Sequence, residues 1–166
     1  MIVFIATALL AQQYAKDISI GFARAVAKAP PLSVTPKATF KVSILNGMKE
    51  KTIVMNDQCS WGYEAMSFDL KSPAGKVFSV TRVQKPWYSN VPRGDKLESL
   101  GISIRAVNFG DGTWHGFPAG IAGSPDGWEA RVNFKIDKNS MFSEHGIWTG
   151  EIHSGWTPAT MRERAN

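Results

Sequence analysis

Residues 65–82 read AMSFDLKSPAGKVFSVTR, and their reading decides the fold class. Apolar and polar side chains alternate in the arms on either side of Ser72-Pro73-Ala74-Gly75. A period of two places alternate residues on opposite faces of a strand, so each arm predicts a half-buried β-strand. Proline at the second turn position and glycine at the fourth predict a type I turn, which makes the whole stretch a hairpin.

The same rhythm extends in both directions. Phe40, Val42 and Ile44 alternate with Lys41 and Ser43 in a first long strand over residues 32–45, with Pro36 marking an edge position or bulge. Residues 52–55 predict a second strand. Residues 97–109 supply another, with Leu100, Ile102, Ile104, Ala106 and, past a bulge at Val107, Phe109 in phase. Trp128, Ala130, Val132, Phe134 and Ile136 alternate in the strand over residues 128–136, and residues 146–154 close the set. Seven strands, frequent turns and no intervening helix predict an all-β fold, a seven-stranded immunoglobulin-like antiparallel sandwich. Long irregular stretches over residues 84–96 and 110–127 are its candidate functional loops.

The first 30 residues read differently. Residues 2–11 (IVFIATALLA) have the length of a signal-peptide core and are too short to span a bilayer. No basic residue precedes them, and Leu9 stands where a cleavage site prefers a small side chain. The alternative is an amphipathic helix over residues 2–27, because Ile18, Phe22, Ala25 and Val26 share a helical face and Pro30-Pro31 stops it. The expected organisation is therefore a signal-like or docking helix over 1–30, a sandwich over 31–156 and a frayed polar tail over 157–166.

Composition narrows the function classes. The 166 residues are 43% hydrophobic and 20% charged, with a net charge of +5. The first 30 residues account for +2 of that, and the rest is dispersed, with no run of like charges. Nucleic-acid binding is not expected, since it calls for clustered basic residues interleaved with aromatics. Cys59 is the single cysteine, which rules out an internal disulfide and a cysteine-rich zinc site.

The order of segments CSWGYEAMSFDLKSPAGKVFSVTR, then VNFGDGTWHGFP, then IWTGEIHSG, resembles immunoglobulin-like sandwich modules of exported bacterial proteins. Its D-L-x-x-P-x-G-K-V element is also loosely similar to the intracellular proteinase inhibitor family. The resemblance covers residues 37–154 and implies a non-catalytic module, with no functional residue carried over.

Candidate chemistry is concentrated in the six tryptophans. Trp128 and Trp148 fall in strand patterns and are expected in the core. Trp61, Trp87 and Trp114 fall in loops beside Gly or Pro, where exposed indoles would stack on sugar rings or anchor a protein interface, and otherwise would plug the ends of the core. Arg93-Gly94-Asp95 is an adhesion tripeptide in a loop that reads as exposed. Asp57, Glu64, Asp111, Asp126 and Glu144 all lie in or beside turns, where Asp57 and Asp111 serve as turn caps. His115, His145 and His153 have no local metal spacing, and a His115/His145/Glu144 site would have to form across loops. Neither a nucleophile elbow nor a phosphate-binding glycine motif is present.

The expectation is a binding or assembly module that is not an enzyme and uses no cofactor or metal. It would be an accessory subunit of the bacterial envelope, periplasmic, secreted or membrane-associated. Its partner would be a protein, such as a membrane complex, or a glycan, met through Trp61, Trp87, Trp114 and Arg93. The alternative is a proteinase-inhibitor-like domain that inserts one long loop into a protease cleft.

Overall fold

A computed structural model describes residues 18–23, 30–47, 52–55, 63–84, 94–97, 102–119, 124–138 and 148–162. The hairpin at its centre pairs β5 (Met66–Lys71) with β6 (Val77–Arg82). Met66, Phe68 and Leu70 point inward, while Ser67, Asp69 and Lys71 take the other face. Gly75 N donates to Ser72 O at 2.8 Å, and Ser72 N donates to Lys76 O at 2.8 Å. Gly75 has φ +82, so the expected turn closes through a left-handed residue that glycine adopts at no steric cost.

Strand β10 (Trp128–Ile136) lies beside β5 and alternates as its sequence requires, with Trp128, Ala130, Val132, Phe134 and Ile136 all buried. Its other edge is shared by β11 (Gly150–His153) and β12 (Thr157–Thr160). The handover falls at Val132, where Ser154 Oγ accepts from Val132 N at 3.0 Å and Ser154 N donates to Val132 O at 2.8 Å. This side chain supplies a ladder bond that neither strand can make. With β2 (Leu32–Ser33) outside β12 and β9 (Trp114–His115) outside β6, the order is β2-β12-β10-β5-β6-β9, a curled sheet.

A second sheet, β1-β3-β8, covers one face of the first: β1 (Ile18–Phe22), β3 (Thr39–Asn46) and β8 (Ile102–Asn108). Strands β4 (Thr52–Met55) and β7 (Gly94–Leu97) form a separate antiparallel ribbon. One core lies between the two main sheets. Phe68 is at its centre, 5.2–6.2 Å from the rings of Phe22, Phe40, Phe109 and Trp114. Three of these contacts are edge-to-face and that with Phe22 is stacked, and both geometries add to the stabilisation from buried area. The described elements are twelve strands and one 3-10 turn, Phe109–Asp111, so the chain is all-β.

Four expectations are corrected. No helix forms over Ile18–Phe22. These residues are strand β1, antiparallel to β3, with Ile18, Ile20 and Phe22 in the core. Ile18 and Phe22 fit a period of 3.6 as well as a period of two. Ile20 fits only the strand, because on a helix it would lie about 200° from Ile18. Ala23 N continues the pairing by donating to Lys41 O at 2.9 Å, and residues 2–17 and 24–27 of the expected helix, with the signal-like run, lie outside those described.

The frayed tail is replaced over Thr157–Thr160 by β12, which buries Ala159 and is followed by buried Met161. Arg162 and Thr160 both bond Asp126, which fastens this end. The pairing is not wholly antiparallel, since β12 and β2 run parallel.

Strand β8 also has the opposite phase from that expected. Its register with β3 is unbroken from Thr39↔Asn108 to Leu45↔Ile102, without a bulge at Val107. Burial of Val107 therefore turns Arg105 and Ser103 toward the core side, and Ile102 and Ile104 face solvent at 62% and 57% exposure.

Candidate functional site

The C-terminal end of β6 is where polar groups converge. Arg82 follows Phe78 and Val80 on the core-facing parity of the strand, and its guanidinium closes the core at that end. The guanidinium carbon lies 3.9 Å from the centre of the Trp114 ring and 4.8 Å from that of Tyr63. Its Nη1 bonds Thr113 Oγ1 and pairs with Asp111 Oδ2 at 3.4 Å. Only 11% of the side chain is exposed. A planar cation that stacks on rings while donating at its edge suits arginine and no other residue.

The segment holding Asp111 is shaped by local bonds. Asn108 Oδ1 caps the 3-10 turn by accepting from Gly110 N at 2.9 Å, and Gly112 leaves it with φ +74. Asp111 Oδ1 accepts from Thr113 N at 2.8 Å, the turn-capping role expected of it. The chain then enters β9, where His115 faces Thr81 and its Nε2 lies 3.0 Å from Thr81 Oγ1. Gly116 has φ +93, and a Cβ there would meet Ser79 O at 2.1 Å, so only glycine brings β9 this close to β6.

Glu64, Thr81, Arg82, Val83, Gln84 and His115 line an open groove of about 650 Å³ at this end. Its walls are preset by the Thr81–His115 contact, the Arg82 stack and the Val83 N to Thr113 O bond of 2.8 Å. Nε1 of Trp114, buried beneath, finds no acceptor among the described residues.

A second polar constellation crosses the outer face of the curled sheet. Asp69 stands opposite Arg131 on β10 and Ser79 on β6. Arg131 Nε and Ser79 Oγ donate to it at 2.8 and 2.9 Å. Burial pushes the Asp69 carboxyl up, but bonds from Arg131, Ser79 and Asn133 and the guanidinium charge outweigh it and hold it below the usual carboxylate range. The Trp156 ring lies against this face, with Lys71 Nζ and Arg131 Cζ 4.7 and 4.8 Å from its centre.

Of the two roles its loop position left open, Trp114 takes the plug at the end of the core and not the exposed indole. It is 7% exposed and packs on Phe68 and Phe109, because β9 fastens residues 114–115 onto β6. Phe117, 5.0 Å from Phe109, anchors the described part of the same loop. Trp61, Trp87 and Arg93 lie outside the described residues, as do Cys59, Asp57, Glu144 and His145. Gly94 and Asp95 of the tripeptide belong to strand β7, opposite Met55 and Val54, and not to a loop. Trp128 is fully buried, with Nε1 donating to Ser124 O at 3.0 Å, and half-buried Trp148 stacks on Phe134.

The structure brings Glu64 and His115 to one groove and leaves His153 on β11, opposite Asn133 and several strands away. Sequence reasoning missed Thr81, Arg82 and Gln84. The available signal was Arg82 itself, a charge on the apolar phase of VFSVTR. Among the described residues no cluster of His, Cys, Asp or Glu is arranged to hold a metal ion, and no helix is long and apolar enough to cross a membrane. Comparison with protein-family models, curated proteins and solved structures finds no match to this chain.

Proposed function

We propose that this chain is a non-catalytic binding or assembly module, an immunoglobulin-like accessory subunit of the bacterial envelope that meets a protein or glycan partner. The observation that supports the reading is the groove at the end of β6. Three of its polar side chains, Thr81, His115 and Arg82, are held by a cross-strand contact, an ion pair and a cation–π stack, so little conformational freedom is lost at them when a partner docks. In sequence, Glu64 and Gln84 at its rim stand three residues from Trp61 and Trp87, the loop tryptophans assigned to recognition. Export, and a membrane contact through the first residues, belong to the same proposal.

A photo-crosslinking amino acid placed at Gln84 or His115 in cells of the source organism tests it. The expected result is a discrete adduct from these two positions and none from Ala74, an exposed control in the turn between β5 and β6 at the opposite end of β6. Equal labelling from all three, or none, refutes the groove as the contact site.

A further inference from the structure

Resting on the binding-module reading, we infer that the groove receives an internal stretch of a neutral or amino-bearing oligosaccharide. Three features select that chemistry. The first is charge. Arg82 is matched by Asp111 and turned onto two rings, while Glu64 is exposed at the rim. With His115 counted neutral, these three charged groups among the described residues sum to −1 at pH 7 in a protein of +5, which disfavours acidic ligands despite the overall charge.

The second is the hydrogen-bonding inventory. The Gln84 amide donates and accepts, Glu64 accepts, and with Nε2 of His115 engaged by Thr81 Oγ1 the pair still offers the ring Nδ1 and the remaining capacity of the hydroxyl. Vicinal sugar hydroxyls donate and accept at once, and so complement such a mixed set. Val83, 40% exposed, adds an apolar spot for the C–H face of a ring.

The third is the backbone. A peptide would be read by adding a strand to a sheet edge. Here β9 covers β6 at Thr81 and Arg82 and Val83 N is bonded to Thr113 O, so a peptide strand would have to add at the outer edge of β9, the last strand of the sheet, and not within the groove. The groove therefore recognises through side chains. It is open rather than enclosing, which suits a polymer that passes through over a small molecule that must be buried.

The test is calorimetric titration with glucosamine oligomers, N-acetylglucosamine oligomers, cello-oligosaccharides, oligogalacturonates and neutral unstructured peptides of similar length. At least one neutral or amino-bearing sugar should bind. Gln84→Ala and His115→Ala should each weaken it about tenfold, the effect of losing one charged or well-formed hydrogen bond, with unchanged unfolding midpoints. Glu64→Lys should shift preference toward oligogalacturonate, a gain that a damaged fold cannot produce. Preference of the native chain for oligogalacturonate overturns the charge argument. Peptide binding, or crosslinking in cells, without any sugar binding overturns the glycan assignment and leaves the binding module standing. Sugar binding that survives both alanine variants places the glycan elsewhere and overturns the site.

Discussion

Replacing Ile20 by alanine separates the strand reading of the N-terminal segment from the helical one. Ile20 is 1% exposed, stands opposite Ile44 in the β1–β3 register, and belongs to a strand that packs against β10 and β11. The substitution removes three buried carbons, which at about 0.8 kcal/mol each is a transfer loss of about 2.4 kcal/mol. A residual void of roughly 40 Å³, at about 24 cal/mol per Å³, adds about 1 kcal/mol. The expected cost is therefore about 3 kcal/mol, a drop in melting temperature of roughly 6–12 °C for a chain of this size. Ser19→Ala, on the opposite face, should cost under about 0.5 kcal/mol. Thermal and urea unfolding of both variants, followed by tryptophan fluorescence, gives the comparison. Equal and small losses for the two would mean that residues 18–22 are not a core strand. On a docking helix built around Ile18 and Phe22, Ile20 would face away and be dispensable.

Ending the chain after Trp156 should cost about 3 kcal/mol or more, or abolish cooperative unfolding, because it removes β12, buried Ala159 and Met161, and the clasp to Asp126. A truncated chain as stable as the full one would refute the role given to β12. Asp69→Asn should destabilise by about 2 kcal/mol at neutral pH by weakening its bonds to Arg131 and Ser79. The folded pKa of Asp69 lies below its unfolded value, so its contribution is fully present above about pH 4 and lost as pH falls through the folded pKa. The difference between wild type and variant should therefore shrink in acid, and denaturant titrations showing a constant gap would contradict the assignment. Arg82→Met keeps the apolar stem but removes the cation from the Trp114 and Tyr63 rings. It should lower stability by about 1–2 kcal/mol and change the fluorescence of Trp114, and an unaltered midpoint and spectrum would show that the stack contributes nothing.

Much of the sheet could be read from local patterning. The 65–82 hairpin and the strand Trp128–Ile136 follow from alternation and turn chemistry, which are properties of adjacent residues. Three other features depended on partners distant in sequence. Whether Ile18–Phe22 becomes helix or strand is settled by the presence of β3 to pair with it, since two of its three core residues satisfy either period. The outward phase of Ile102 and Ile104 is imposed by the unbroken register to β3 and the burial of Val107, although their own spacing suits an inward face equally well. The polar segment after Trp156 becomes β12 because the edge of β10 and the carboxylate of Asp126 are there to receive it. The groove is of the same kind. Arg82 is visible in the sequence as a charge in an apolar phase, but its rings, its carboxylate partner and its neighbour His115 arrive from residues 63 and 111–115. Sequence alone determines the strands whose alternation is unambiguous, such as Met66–Lys71 and Trp128–Ile136, because alternation is local. Tertiary structure decides which face each strand buries and which side chains meet, because cross-strand register joins residues that the chain keeps far apart.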